Sequence, residues 1–217
     1  MKIAAIVEGH GEVASLPILL RRIAQSHGLG FRRTLTGFKW IARAPELAFG
    51  YEEAIGFCPN PAIARDKDGI ASSVVAASLF AALKTEERTA WDELDRLAHV
   101  HGLHVTGPLT FRVEEIEQIA SGMARLRAQP PSVLAGSPVV EVSDLSQGYR
   151  GLPPTDGVLV LTEAGDRVIA RPSGTEPKLK CYLEVILPVA EGEPLPWEQA
   201  RERLDAIKGA FAEIIGL

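Results

Sequence analysis

The chain has 217 residues, 46% of them hydrophobic, and a net charge of −5. This length suits one or two compact domains with a full apolar core, and an acidic balance with no basic run or stripe to offset it argues against a nucleic-acid binder. Two cysteines are too few for a disulfide framework. With no signal peptide and no apolar run of about 18 residues or more, a cytoplasmic protein without a membrane partner is expected.

In chain order, Met1–Val7 reads as a short apolar strand, Glu8–Glu12 as a turn, and Leu16–Ala24 as a helix with Pro17 in its first turn, together a βα unit. Ala71–Leu83 reads as a buried helix, because Val75, Leu79 and Leu83 recur four residues apart and the alanines permit close packing. After the charged turn Glu86-Glu87-Arg88, a second helix carries Trp91, Leu94, Leu97 and Ala98. His99, His101 and His104 form an H-x-H-x-x-H string of the kind that can hold zinc. The string follows a helix and runs through the stop residue Gly102, so His99 and His101 read better as end-of-helix residues, and no local fourth ligand is evident. Ile116, Ile119, Ala120, Met123 and Leu126 mark a further helix ended by Pro130-Pro131. Strands follow at Val139–Val142 and Val158–Leu161, separated by the turn Pro153–Gly157. A terminal helix carries the apolar stripe Trp197, Ala200, Leu204, Ile207, Phe211 and Ile214.

The densest chemistry lies before that helix, in Arg171-Pro172-Ser173-Gly174-Thr175-Glu176-Pro177-Lys178-Leu179-Lys180. Asp166–Ala170 leads in as a strand, and Cys181, Leu183, Val185 and Leu187 alternate with Tyr182, Glu184 and Ile186 on the way out. Ser173 and Thr175 offer hydroxyl donors, Gly174 lets backbone approach an anion, and Arg171 presents a planar fork that matches phosphate oxygens two at a time. The plainer alternative is a polar hairpin turn.

This packet resembles the phosphate-binding R-x-S-G-T-E-P loop in the last domain of the α-D-phosphohexomutases, the phosphoglucomutases and phosphomannomutases. Thr34–Ile41, Phe49–Gly56 and Asp66–Ile70 resemble, in order and spacing, three successive motifs of that family's third domain. Tyr51–Gly56 followed by Asp66–Gly69 is closer to the branch containing phosphopentomutase-type and bacterial phosphoglucomutase-type members. The resemblance implies that Glu52 takes sugar hydroxyls with Glu53 as its neighbour, that Lys39 contacts sugar or phosphate, and that Arg171, Ser173, Gly174, Thr175 and Lys178 bind the phosphate end. Ala54 stands where many members have serine, which removes one expected hydroxyl contact.

Two motifs of the complete four-domain mutase are missing from this sequence: the phosphoserine loop and the D-x-D-x-D-R loop that binds magnesium. The serines lack the T-A-S-H-N-P context, and Asp66-Lys67-Asp68 belongs to the third-domain motif. Phosphoryl transfer depends on such a donor and on the metal that neutralises developing charge. No catalytic or metal-binding residue and no cofactor is therefore expected in this chain, whereas the complete family enzyme uses magnesium and a sugar bisphosphate activator. The opening Val7-Glu8-Gly9-His10-Gly11-Glu12-Val13 also resembles that of a small TOPRIM-like bacterial family, with Glu8 at its glutamate position. The rest of that domain is absent, so Glu8 reads as a solvated turn residue.

The expectation is an α/β chain: residues 1–28 as a foreign βα segment completing the first unit, 29–107 as a truncated third-domain-like α/β layer unit, and 108–217 as an α+β fourth-domain-like unit. Its expected ligand is a hexose or pentose phosphate. The alternative is a non-enzymatic fusion scaffold, or a subunit that a separate N-terminal mutase half completes.

Overall fold

The computed structural model describes residues 3–7, 16–34, 38–52, 56–173 and 176–216, with side chains described from residue 19 onward. Glu8, Glu53, Ala54, Gly174 and Thr175 lie outside the described residues. The chain divides into two compact units, one containing 3–7, 16–103 and 188–195, the other 104–187 and 196–216.

The first unit runs β1 (Ile3–Val7), α1 (Leu16–Ser26), β2 (Gly30–Thr34), α2 (Phe38–Ile41), β3 (Leu47–Glu52), β4 (Gly56–Cys58), α3 (Gly69–Thr85) and α4 (Ala90–His101). Its sheet has the order β2-β1-β3-β4, with β1 parallel to both neighbours and β4 antiparallel to β3. The opening strand thus sits inside the sheet, where its backbone groups pair on both sides. Phe38, Ile41, Ala44, Leu47 and Cys58 form a buried cluster. A Cβ on Gly50 would lie 2.7 Å from Ile41 Cγ2, so glycine there lets α2 sit directly on β3.

Helix ends follow their local chemistry. The Asp68 carboxylate accepts from the Ala71 N–H at 2.9 Å and starts α3, and a Thr89/Asp92 capping box starts α4. Gly102, at φ 92°, stops α4 with His99 and His101 in its last turn. The burial expected of α3 is not met: Leu83 is buried, while Val75 and Leu79 are exposed. The helix packs against β4, a three-residue strand at the sheet edge, which is too short to cover 17 residues of helix.

The second unit comprises β5 (Leu103–Arg112), α5 (Ile116–Ala128), β6 (Val133–Leu134), β7 (Ser137–Asp144), β8 (Val158–Thr162), β9 (Arg167–Pro172), β10 (Lys178–Leu187) and α6 (Trp197–Ile215). Its sheet has the order β5-β10-β9-β8-β7-β6, and β6 to β10 pair antiparallel. α5 and α6 pack on each other and on the sheet, burying Ile119, Met123 and Leu126 from one and Ala200, Leu204, Ile207, Phe211 and Ile215 from the other. The terminal stripe ends on Ile215, one helical turn beyond Phe211, and not on Ile214. Leu145, Leu159 and Ile169 form a separate cluster with Tyr149 and Leu161 against it. Among the described residues there are six α-helices and two sheets, a mixed α/β fold, and no helix is long and apolar enough to cross a membrane.

Candidate functional site

β9 and β10 form the foundation of the Arg171–Lys180 packet. Pairing runs from Glu184↔Arg167 up to Lys180↔Arg171 and Leu179↔Pro172, and the Ser173 N–H donates to the Lys178 carbonyl at 2.9 Å. The loop is therefore the connection of an antiparallel pair, clamped at its base by backbone bonds. The register also sets Arg171 and Lys180 directly opposite each other, both half-buried. Like charges facing across a strand pair are destabilising unless an anion joins them.

More cations border the loop. The Val113 N–H donates to the Pro177 carbonyl at 3.1 Å, which ties the end of β5 and its neighbour Arg112 to this region. Lys178 Nζ pairs with the Glu176 carboxylate. That hydrogen bond and the charge of Lys178, followed by the fields of Arg112 and Lys180, hold the Glu176 carboxyl below its ordinary range. Ser173 is half-buried at the loop's start, and Gly174 and Thr175 lie outside the described residues.

The three sequence motifs of the first unit meet around one glycine. A Cβ on Gly56 would lie 2.6 Å from Phe38 Cε2 and 2.9 Å from Lys67 Cγ, and Lys67 Nζ stands 4.7 Å from the Phe38 ring centroid. The Asp68 N–H donates to the Phe57 carbonyl at 2.8 Å, which closes the set. Glu52 ends β3 opposite Gly56 and is buried at 8% exposure. Among the described residues no hydrogen bond ends on its carboxylate, which can accept from hydroxyl donors. Lys39 is exposed on α2, its Nζ 5.6 Å from the Trp40 ring centroid, and Arg43 lies 5.8 Å from the same ring.

Of the residues expected at the site, Arg171, Ser173 and Lys178 share one strand pair and its connection, and Lys39 and Glu52 lie in the other unit. The sequence places Lys180 in the packet without a role and gives no signal for Arg112. That Lys180 faces Arg171 becomes visible only through cross-strand register. The histidine string is split between different partners: His99 Nδ1 lies 3.2 Å from the Ala190 carbonyl, and His104 Nδ1 lies 3.0 Å from Glu184 Oε1. Among the described residues no group of three or more His, Cys, Asp or Glu side chains is placed to hold a metal ion.

An antiparallel β9–β10 connection bearing Arg-x-Ser and bordered by cations in one unit, and three motifs packed around Gly56 in the other, belong to a mixed α/β chain of two units. The chain belongs to the phosphoglucomutase/phosphomannomutase family: residues 12–99 match its alpha/beta/alpha domain III, and residues 82–193 match its C-terminal domain. It is 39% identical over 165 residues to a probable phosphomannomutase of Haemophilus influenzae, covering 76% of this chain and 33% of that protein. It is 30% identical over 219 residues to the phosphopentomutase of Mus musculus, covering 90% of this chain and 35% of that protein. In fold it resembles the open form of parafusin, a phosphoglucomutase from Paramecium, with a TM-score of 0.71 at 18% identity over 98% of this chain and 37% of that one. The chain spans about a third of the length of the curated relatives it matches.

Proposed function

We propose that this chain binds a hexose or pentose phosphate and that by itself it does not move the phosphate. In this reading Arg171, Ser173, Gly174, Thr175 and Lys178 hold the phosphate. Glu52, with Glu53 beside it, accepts hydrogen bonds from sugar hydroxyls, and Lys39 supplies a mobile positive charge to sugar or phosphate. The observation that carries the reading is the facing pair Arg171 and Lys180 at the foot of the loop. Two half-buried cations opposite each other are a poor arrangement for an empty hairpin and a good one for a dianion, whose oxygens accept from both at once.

Glu52 supports the sugar half of the reading. A carboxylate on a residue 8% exposed, with no donor among the described residues, can accept from a ligand that brings hydroxyl donors. No phosphoserine loop or aspartate-rich magnesium loop occurs in the sequence. We assign the chain a binding role, with the chemical step and its magnesium belonging to a complete family enzyme. The resemblance of the first residues to a TOPRIM-like opening remains a proposal about the origin of that segment and assigns Glu8 no catalytic part.

Isothermal titration calorimetry with glucose 1,6-bisphosphate tests the reading. Heat of binding is expected from the unmodified chain and is expected to vanish in Arg171→Ala. Folded protein giving no heat would sink it. A coupled mutase assay on the purified chain should show no turnover, and turnover abolished by Arg171→Ala would overturn the binding-only role. Activity that appears on mixing with a fragment carrying the phosphoserine and magnesium loops would instead assign it the role of a completing subunit.

A further inference from the structure

Among the described residues, Arg112, Arg171, Lys178 and Lys180 border the Arg171–Lys180 packet. Alternation along β10 buries Leu179, Cys181 and Leu183 on one face and puts Lys178 and Lys180 on the other, with Arg171 across the strand pair from Lys180. Arg112 is brought alongside by the bond from the Val113 N–H to the Pro177 carbonyl. Glu176 is an anion set among them. The Lys178 N–H donates to the Glu176 carbonyl at 2.7 Å, closing a tight turn about Pro177, whose ring fixes φ. That turn keeps the Glu176 carboxylate within reach of Lys178 Nζ, with which it pairs. The Lys178 side chain is 13% exposed and that of Glu176 48%, so the lysine is held in place while the carboxylate can turn out into water.

Resting on the phosphate-binding reading above, we propose that Glu176 is a resident counter-anion. It pairs with Lys178 in the empty packet and is displaced by the phosphate group of the ligand, so it sets affinity by competing for the same cation. An ionised carboxylate only accepts hydrogen bonds and has no proton to give a phosphate oxygen. The bond from Lys178 and its charge, followed by the fields of Arg112 and Lys180, hold the Glu176 carboxyl below its ordinary range and keep it ionised. The two anions therefore repel each other and cannot share Lys178 through a bond of their own.

Charge decides the exchange. A phosphate monoester carries about −1.5 to −2 at pH 7 against the single charge of the carboxylate, so it takes the cations more strongly. Its apparent affinity is reduced to the fraction of molecules in which Lys178 is free. With no ligand bound, the negative charge of Glu176 offsets part of the repulsion between the facing Arg171 and Lys180.

Isothermal titration with glucose 1,6-bisphosphate in phosphate-free, low-salt buffer tests this on the unmodified chain, Glu176→Gln and Glu202→Gln. Glu202 is an exposed carboxylate on α6 whose replacement makes the same change in net charge. Glu176→Gln should bind about two- to five-fold tighter than the unmodified chain, as expected for loss of one solvent-accessible ion pair, and the gain should shrink with added salt. Without ligand it should melt at a lower temperature than the unmodified chain, because the cations lose their counter-charge, and inorganic phosphate should close that gap. Equal binding by Glu176→Gln would overturn the counter-anion role. Weaker binding would also overturn it and make Glu176 a group that positions Lys178 for phosphate. The same gain in Glu202→Gln would reduce the effect to net charge and overturn it as well. No heat from any of the three folded chains would instead sink the phosphate-binding reading itself, and the counter-anion role with it.

Discussion

Arg167 on β9 and Glu184 on β10 stand directly opposite each other, with Nη2 2.8 Å from Oε2 and both residues buried. His104, on the other neighbour of β10, meets the second oxygen of Glu184 at 3.0 Å. One carboxylate thus joins three strands in the interior of the second unit. Removing one partner of a buried pair leaves a charge that water cannot reach, so Glu184→Leu is expected to destabilise the unit by about 3–5 kcal/mol. The double change Arg167→Met with Glu184→Leu should restore most of that loss, since well-packed apolar residues can replace a buried pair at little cost. Urea unfolding of the unmodified chain and the two variants measures this, and a Glu184→Leu loss below about 1 kcal/mol would contradict it.

The facing cations Arg171 and Lys180 lead to a prediction about anions. In phosphate-free, low-salt buffer, Lys180→Gln should stabilise the chain slightly, by about 0.2–1 kcal/mol, because it removes like-charge repulsion across the strand pair. Inorganic phosphate should raise the melting temperature of the unmodified chain and raise that of Lys180→Gln less. Equal responses in calorimetric scans would remove the basis for a phosphate site at this register.

Glu93 receives hydrogen bonds from Arg96 at 2.6 and 2.8 Å and pairs with Arg88, which together hold its carboxyl down to about 2 from an ordinary 4.5. A depressed folded-state value means that the unfolded chain takes up the proton first. The contribution is therefore fully present above about 4.5 and is lost as the pH falls from there toward 2. Melting temperatures of wild type and Glu93→Gln should differ at neutral pH and converge across that window. The site is solvent-accessible and screened, so the gap should be small and should shrink with added salt.

Gly56 separates packing from backbone freedom. Its Cβ would meet the buried Phe38 ring at 2.6 Å, and a ring in a packed core cannot swing aside, so Gly56→Ala should cost about 1–3 kcal/mol. Gly69, at the start of α3, faces open space, and Gly69→Ala should be neutral or mildly stabilising. Chemical denaturation that ranks the two the other way round would show that the three motifs do not converge on Gly56.

Much of this was legible in the residues. The capped helices α4 and α5, the strands on either side of the Arg171–Lys180 packet and the stripe of α6 follow from local periodicity and stop signals, which act over a few residues. β5 was not legible, because Leu103–Arg112 mixes Gly107 and Pro108 into a strand that only pairing with β10 stabilises. The burial of α3 was misread for a related reason: apolar spacing shows that a helix needs a cover, and only the neighbouring elements show whether the chain supplies one.

The sequence by itself determined the family, because its motifs are contiguous and chemical, and it singled out the Arg171–Lys180 packet and Glu52 as candidates. Tertiary structure alone decided that Arg171 faces Lys180, that Glu184 is shared by Arg167 and His104, and that Phe38, Gly56 and Lys67 meet. Those relationships depend on strand register and on contacts between residues distant in the chain. A shift of one residue in the β9–β10 register would turn Arg167, Arg171, Lys180 and Glu184 to the opposite face.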